Sequence, residues 1–368
     1  MKRGSFLGYP HFYLNAFLAI IDLMNRAQLE NFIDYLKKEK WVVFGPSKLA
    51  SGKPEPIEIS PYLTAHGQSP KEQPPVFIGH LDRASDLILD QRLPFYSFKK
   101  FFFPEKETLF NYRDNLLAEQ DRHHKVALIG VSLLDLKAIN LYDQVFEKDK
   151  YYQTRRRNTF IVGHAIVPEI EDNIFEYKYE EEVLEHLPFD VFLATSGANR
   201  FKVFTGSIKG QRTLEAFGYT DYDHIQYSGA VKEKDKDKRM EEIEKSLVNR
   251  HNQKIWDELG KKCLECGKCS LVCPTCFCFR IDDIPTAKNC GQRQRCWDSC
   301  FFREFSEVAG GHKFLKTPAQ RIHFWYYHKF VRIPEEFDFM GCVGCRRCAK
   351  VCPVDIDIFE VLKEIENS

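Results

Sequence analysis

Cysteine is absent from the first 262 of the 368 residues, and the chain has no excess of either charge. Its 53 basic and 53 acidic residues cancel, which argues against a broad nucleic-acid-binding surface. No apolar run reaches the length of about 20 residues that a membrane-spanning helix needs. No G-x-G-x-x-G motif follows a predicted strand, so a dinucleotide-binding site has no support. These absences predict a chain without a membrane span and without a nucleic-acid partner.

All 13 cysteines lie between Cys263 and Cys352, and one pattern occurs there twice, each time ending in proline. The pattern is C-x2-C-x2-C-x3-C-P, the spacing by which bacterial ferredoxins bind two 4Fe–4S clusters. Three cysteines of one motif bind one cluster, and the fourth binds the other cluster. The predicted ligands are Cys263, Cys266, Cys269 and Cys352 for cluster 1, and Cys342, Cys345, Cys348 and Cys273 for cluster 2.

Zinc sites and disulfide bonds explain this pattern less well. Zinc sites use pairs of cysteines separated by a spacer, whereas each motif here has three cysteines at short, equal spacing. Disulfide frameworks are typical of small secreted domains, and this chain is not small. Its apolar stretch 16–21 is interrupted by Asp22 and predicts a helix rather than a signal peptide. Clustered cysteines with ligand spacing indicate a reducing compartment, so we expect a cytoplasmic protein.

Five cysteines remain beyond the eight predicted cluster ligands. One interpretation is a third iron–sulfur centre formed by Cys276, Cys278 and Cys300. Its fourth ligand would come from Cys296, Cys290 or Asp283. The other interpretation is that the five are ordinary buried thiols, because free cysteine is among the most buried residue types. The sequence leaves both interpretations open.

The residues before the cysteines predict an α/β domain. Strands are predicted at 41–44, 126–131, 159–163, 190–194 and 201–204, and helices at 26–36 and 133–146. Continuous apolar strands alternating with helices favour a partly parallel sheet. The phenylalanines between 95 and 110 predict burial at a domain or subunit contact. The charge run at 232–239 and a helix at 241–259 then lead to the first cysteine.

We therefore expect three parts. An α/β docking or scaffold domain occupies 1–230, and a charged linker with a helix occupies 231–260. An α+β ferredoxin-like dicluster domain occupies 261–368 and contains a long helical insert at 274–341.

Several motifs of the C-terminal part resemble a known family. It comprises the iron–sulfur β subunits of cytoplasmic sulfhydrogenases (hydrogenase/sulfur reductases) and the A subunit of anaerobic sulfite reductase. The motifs are Cys263-Leu-Glu-Cys-Gly-Lys-Cys269, Cys273-Pro-Thr-Cys-Phe-Cys278, Arg295-Cys-Trp-Asp-Ser-Cys300, Ala309-Gly-Gly-His312, the segment 321–329 and Cys342-Val-Gly-Cys345. Cys276, Cys278 and Cys300 correspond to family cysteines, whereas Cys290 and Cys296 are particular to this chain. The N-terminal match is looser, because Leu134 and the segment 173–176 stand where family members often have cysteine.

The resemblance implies a non-catalytic electron-transfer subunit of a multisubunit oxidoreductase. In the family, this subunit relays single electrons between two partners. One is a flavoprotein subunit with FAD that uses NAD(P)H, and the other is a hydrogenase small subunit or a sulfur- or sulfite-reducing terminal subunit. No catalytic residue is therefore predicted in this chain. Two alternatives stay open: reduction of a sulfur species at the third centre itself, or an iron–sulfur sensor or structural module.

Overall fold

The computed structural model describes residues 23–48, 76–90, 92–114, 116–119, 124–165, 181–197, 199–230, 238–249 and 254–366. The strands are β1 Met24–Asn25, β2 Val42–Ser47, β3 Phe77–His80, β4 Lys106–Arg113, β5 Leu116–Glu119, β6 Val126–Ser132, β7 Thr159–His164, β8 Val191–Thr195, β9 Arg200–Thr205, β10 Asp223–His224, β11 Phe279–Ala287, β12 Cys290–Trp297, β13 Glu307–Val308 and β14 His312–Lys313. The α-helices are α1 Arg26–Lys38, α2 Lys99–Phe102, α3 Leu133–Val145, α4 Lys150–Arg157, α5 Ile208–Phe217, α6 Lys238–Asn249, α7 Lys254–Lys262, α8 Lys268–Val272, α9 Pro318–Tyr327, α10 Ile333–Phe337, α11 Arg347–Lys350 and α12 Ile358–Glu366. The helix predicted at 16–21 lies outside the described residues.

One mixed sheet organises the N-terminal half. Its strand order is β1-β9-β8-β7-β6-β2-β3, and β10 pairs with β9. Strands β2, β6, β7 and β8 are parallel to their neighbours in this run, whereas β3 and β9 join it antiparallel. The α/β class predicted from the sequence is therefore confirmed, and the sheet is partly parallel.

Helices cover both faces of this sheet. On one face, α1 begins at a capping box, in which the Asn25 side chain accepts from the Gln28 backbone N–H and the Gln28 side chain accepts from the Asn25 N–H. The apolar side chains of α1 recur at helical spacing and are buried: Leu29, Phe32, Ile33 and Leu36. On the other face, α3 begins at Ser132, whose hydroxyl accepts from the Asp135 N–H.

Helix α3 is buried against the C-terminal half as well as the sheet. Its Leu134 and Ala138 pack against Val343 and Cys345, which belong to the second cysteine motif. Because this helix contacts both halves of the chain, it fixes the position of the cysteine domain relative to the large sheet.

A second, four-stranded sheet joins the two halves, with the order β11-β12-β4-β5. The hairpin β11–β12 lies in the insert, and β12 pairs antiparallel with β4 from Cys290↔Arg113 to Cys296↔Lys106. The prediction of a helical insert at 274–341 is therefore wrong for 279–297, which form this hairpin. The later part of the insert does contain α9 and a π-helical turn, His328–Arg332.

The core of the C-terminal half is helical. Helices α6, α7, α9 and α12 bury an apolar cluster that includes Leu247, Trp256, Tyr326, Phe359 and Leu362. The single helix predicted at 241–259 is described as two helices, α6 and α7, on either side of residues 250–253, which lie outside the described ranges.

The phenylalanines near 100 are buried where the two halves meet. Phe98, Phe102 and Phe103 are each at most 1% exposed, and the Phe103 ring lies 6.1 Å from that of Trp297. This matches the predicted burial at a domain contact. Within the described ranges, every helix is too short or too polar to span a bilayer.

Candidate iron–sulfur sites

Two cavities in the C-terminal half are each lined by a set of four cysteines. The first set is Cys263, Cys266, Cys269 and Cys352, and the second is Cys273, Cys342, Cys345 and Cys348; Cys348 also reaches the wall of the first cavity. Each set combines three cysteines of one motif with the last cysteine of the other. These are the two ligand sets that the ferredoxin spacing predicts.

The two cysteine loops have matching backbone conformations. Glu265 and Gly267 in the first loop have φ values of 55° and 69°, and the corresponding Gly344 and Arg346 have values of 69° and 53°. A left-handed conformation at a non-glycine residue is unfavourable and persists where the surrounding structure imposes it. Both loops therefore have the same backbone turns, and the thiols of each loop line one cavity.

Backbone amides in these loops donate to the cysteine sulfurs. The Glu265 N–H lies 3.3 Å from Cys263 Sγ, and the Gly344 N–H lies 3.4 Å from Cys342 Sγ. The Ile356 N–H lies 3.2 Å from Cys352 Sγ. Such donors stabilise negative charge on sulfur, and they are one of the means by which proteins set cluster potentials.

The two cavities are adjacent. Cys348, Trp325 and Ile358 line both of them, so a single layer of side chains separates the sites. Trp325 lines both cavities and Tyr326 lines the first, and the Trp325 Nε1 and Tyr326 Oη atoms are buried without a hydrogen-bond partner among the described residues. A buried N–H or O–H without a partner is costly, so both groups suit a bound group with acceptor atoms such as cluster sulfides.

The chemistry of the donor set also fits iron–sulfur clusters. All eight lining cysteines offer sulfur, and cysteine thiolate is the ligand type of 4Fe–4S clusters. Burial raises the pKa of Cys263 to about 11 and that of Cys342 to about 12, and it raises the pKa of Cys269 and Cys348 well above the ordinary value. Because ligating cysteines must be thiolates, cluster assembly releases protons from these groups.

A buried ion pair attaches the second cysteine loop to the N-terminal half. Arg347 donates to both carboxylate oxygens of Asp135, at 2.8 and 2.9 Å, and to the Pro94 carbonyl at 3.0 Å. The two side chains are 3% and 2% exposed. Asp135 also contributes to the electrostatic environment of the Cys345 thiol.

The structure brings together three of the five remaining cysteines. Cys278 immediately precedes β11 and Cys300 follows β12, and the pairing of Phe279 with Trp297 closes the hairpin between them. The Cys300 thiol lowers the pKa of Cys278, and the Cys273 thiol raises the pKa of Cys276 well above its ordinary value. Cys276 and Cys278 also interact electrostatically. The Cys276 thiol lowers the pKa of Cys273 well below its ordinary value, and Lys329 adds to this effect.

The three predicted candidates for a fourth ligand lie elsewhere, so these predictions are not supported. Asp283 is exposed and forms an ion pair with Arg293 at 2.7 Å. The Cys296 thiol lies beside Asp282 and Arg280 rather than beside another cysteine. Cys290 begins β12, at the far end of the hairpin from Cys278.

Two buried lysines near these thiols were not among the predicted site residues. Lys329 Nζ lies 3.3 Å from Cys273 Sγ, 2.9 Å from Thr275 Oγ1 and 2.7 Å from the Gly341 carbonyl. Lys99 Nζ, from the N-terminal half, donates to the carbonyls of Ser270 and Cys276 at 3.3 Å each. The position of Lys99 could not be predicted, because about 170 residues separate it from the cysteine segment that it contacts. Lys329 could have been predicted as a site residue, because it is the last residue of the family motif 321–329.

Known proteins support this interpretation. Residues 262–356 match the family model described as a 4Fe-4S dicluster domain. The chain is 32% identical over 304 residues to sulfhydrogenase 2 subunit beta of Pyrococcus furiosus, which covers 77% of this chain and 86% of that protein. No solved structure matches the chain. The identity and the coverage together show that the chain belongs to the sulfhydrogenase beta subunit family.

Proposed function

We propose that the chain is the electron-transfer subunit of a cytoplasmic multisubunit oxidoreductase and relays single electrons through two 4Fe–4S clusters. The observation that carries the proposal is the pair of adjacent cavities. Each is lined by three cysteines of one motif and the last cysteine of the other, and Cys348 of the second set also lines the first cavity. Cys263, Cys266, Cys269 and Cys352 hold cluster 1, and Cys342, Cys345, Cys348 and Cys273 hold cluster 2. When bound, such clusters accept and release one electron at a time.

The chain's own side chains exclude water and adjust the charge around both sites. Trp325 and Ile358 line both cavities, and the buried Trp325 N–H has no hydrogen-bond partner among the described residues. Lys329 places a buried ammonium group against Cys273. A positive charge and hydrogen-bond donors beside thiolates favour the reduced state, because that state carries one more negative charge. No residue of the chain is assigned a catalytic role.

The partners follow from the family. We propose that a flavoprotein subunit with FAD and NAD(P)H lies on one side of the relay. A hydrogenase small subunit, or a sulfur- or sulfite-reducing subunit, lies on the other side. The division into a docking domain at 1–230, a linker at 231–260 and a cluster domain at 261–368 belongs to the same proposal. The absence of cysteine from the first of these parts supports a docking role for it.

Replacement of Cys348 by serine in the native complex tests this function. Because Cys348 is one of the four proposed ligands of cluster 2, we expect Cys348→Ser to remove or convert that cluster and to abolish NAD(P)H-linked turnover. Activity of the terminal subunit with an artificial dye as electron donor should persist, because the dye does not need the relay. Iron and sulfide analysis, electron paramagnetic resonance and both turnover assays are the measurements.

The matched control is Cys290→Ser, which makes the same chemical change in β12, outside both cysteine sets. We expect this variant to keep wild-type iron content and turnover. Unchanged iron content together with unchanged NAD(P)H-linked turnover in Cys348→Ser would refute the proposed function.

A further inference from the structure

The β13–β14 hairpin is exposed and contributes nothing to the core. Among the described residues, none between 307 and 315 belongs to an apolar core cluster. Val308 and Phe314 are nevertheless apolar, and they are 47% and 67% exposed. Val308 pairs with His312, whose ring lies 5.1 Å from that of Phe314, so the three side chains share one face of the hairpin. Apolar side chains that are exposed together are typical of an interaction surface.

A buried ion pair connects this hairpin to the first cysteine loop. Arg321 Nη1 donates to the Leu315 carbonyl at 2.8 Å, and its Nη2 donates to the Glu265 carboxylate. The two charged side chains are 4% and 11% exposed. Leu315 directly follows Phe314, and Glu265 directly follows Leu264. The ion pair therefore holds the hairpin and the loop in fixed positions relative to each other.

Leu264 belongs both to the protein surface and to the first cluster site. It is 63% exposed, and it also lines the first cavity. Phe302 and Arg303 extend the surface beside it. A Cβ at Gly267 would lie 2.6 Å from the Phe302 ring, and Arg303 Nε donates to the Glu265 carboxylate at 3.1 Å. One wall of the first cavity is therefore also part of this surface.

The two cluster sites differ in their distance from solvent. All four cysteines of the first set are half-buried, whereas three of the second set are buried. The second loop packs instead against α3 of the N-terminal half, through Val343 and Cys345. A redox partner on the surface beside Leu264 would therefore exchange electrons with the first site rather than with the second.

The same surface is basic, although the whole chain is neutral. We call the residues 261–268 and 302–316 the loop–hairpin face. Its six basic residues are Lys261, Lys262, Lys268, Arg303, Lys313 and Lys316, and its three acidic residues are Glu265, Glu304 and Glu307. The acidic charge of Glu265 is already paired with two arginines. Electrostatic complementarity therefore favours a partner with an acidic surface.

We propose that the loop–hairpin face is the docking site of a redox subunit that exchanges electrons with cluster 1 and has acidic residues around its own redox group. The proposal rests on the proposed function and adds to it the surface and the charge of one partner. Leu264, Val308 and Phe314 are the apolar contacts, and the basic residues around them attract the partner. Because the buried ion pair fixes the apolar residues before binding, little freedom is lost on docking. Each transfer moves one electron and no atom, so the partner's group is oxidised as cluster 1 is reduced, or the reverse.

Carbodiimide cross-linking of the native complex, followed by mass spectrometry of the linked peptides, tests the contact. Carbodiimide joins a lysine directly to a carboxylate that touches it. We expect Lys261 and Lys316 to be linked to Asp or Glu residues of another redox subunit. The absence of such links would overturn the proposal, as would links from these lysines only to a second copy of this chain or to another segment of the same chain.

Phe314→Asp tests the apolar contact, because it places a negative charge opposite an acidic partner. We expect the dissociation constant of that partner to rise at least about 30-fold, as at an interface hot spot, in a dilution series of the native complex followed by native mass spectrometry. Iron content and the resonance signals of the dithionite-reduced protein should not change, because Phe314 lines neither cavity. Ile208→Asp on α5, where the side chain is 64% exposed, is the matched control. If Phe314→Asp does not fold, as judged by circular dichroism, Val308→Asp makes the same change on the same face.

Lys316→Glu tests the electrostatic part of the proposal. We expect association with the partner to be about 10-fold slower at low ionic strength, and the difference should largely disappear at about 0.5 M NaCl. Lys288→Glu, at an exposed position in the turn of the β11–β12 hairpin, is the control.

Wild-type binding in both Phe314→Asp and Lys316→Glu would overturn the docking face. The proposed function would survive that result if Cys348→Ser still abolished NAD(P)H-linked turnover. It would fail separately if Cys348→Ser changed neither iron content nor turnover.

Discussion

The ion pair between Arg347 and Asp135 should dominate the attachment of the cysteine domain to the N-terminal half. Both side chains are almost fully buried, and the pair is bidentate, at 2.8 and 2.9 Å. Removal of one partner leaves the other charge buried and uncompensated, which costs about 3–5 kcal/mol. We therefore expect Asp135→Ala to lower the free energy of unfolding by about 3–5 kcal/mol.

The same variant should also change the second cluster site. The Arg347 guanidinium acts electrostatically on the Cys345 thiol, and Asp135 neutralises its charge in the wild-type protein. Without the carboxylate, the full positive charge of Arg347 acts on that site. We expect the reduction potential of cluster 2 to rise in Asp135→Ala, while that of cluster 1 stays nearly constant.

Urea unfolding under anaerobic conditions, with samples matched in iron content, measures the first effect. The control is Asp283→Ala, because the Asp283–Arg293 pair has a similar geometry but is 51% and 44% exposed. Exposed pairs contribute about 0–1 kcal/mol. The double variant Asp135→Leu/Arg347→Met should recover most of the lost stability, because it leaves no unpaired charge. A loss in Asp135→Ala no larger than that in Asp283→Ala would refute the reasoning.

Two further predictions concern buried polar groups. Tyr326→Phe removes a buried hydroxyl that has no partner among the described residues and lies in the wall of the first cavity. We expect it to lower the potential of cluster 1 in an electrochemical titration, relative to Tyr327→Phe, and equal potentials would contradict a hydrogen bond to the cluster. Burial lowers the pKa of His164 to about 4, with Asp90 acting weakly in the opposite direction. The unfolded chain therefore binds an additional proton below about pH 6.5, and stability is lost as pH falls from there towards about 4. Relative to His164→Gln, the wild-type protein should lose about 2 kcal/mol by about pH 5, and parallel pH profiles would exclude this effect.

Features encoded locally could be predicted from the sequence. The capping residue Asn25 and the apolar spacing of Leu29, Phe32, Ile33 and Leu36 define α1, because both signals lie within one segment. The strand at β6 follows from a continuous apolar run. Each predicted ligand set has three cysteines from one motif and the last cysteine from the other. These sets could be predicted from the repeated motif alone, because its spacing is the one by which bacterial ferredoxins bind two clusters.

The hairpin β11–β12 was missed because it lacks the usual pattern of a half-buried strand. Phe279 and Ile281 alternate with Arg280 and Asp282, but the alternation ends at Asp283, and Phe279, Ile281 and Ile284 are at least 36% exposed. A signal was present in the turn, where Asn289 has a left-handed conformation with a φ of 58°. With the hairpin recognised, Cys278 and Cys300 would have been placed together, and Cys290 at the opposite end.

Contacts between distant segments could not be predicted from one sequence. Lys99 reaches the carbonyls of Ser270 and Cys276 across the boundary between the two halves, and no local pattern distinguishes it from the neighbouring Lys100. The Arg347–Asp135 pair is of the same kind. These long-range contacts depend on how α3 packs against the second cysteine loop, which is a property of the whole fold.

The sheet shared by β4 and β12 has a consequence for biosynthesis. During translation, β4 leaves the ribosome long before β12, so one edge of the strand stays unpaired until the insert has been made. Its other neighbour, β5, exposes Leu116 and Leu117 at 75% and 69%. An open edge beside exposed leucines favours intermolecular pairing. A fragment ending near residue 230 should therefore aggregate on expression, and the insert acts in cis as the element that closes this edge.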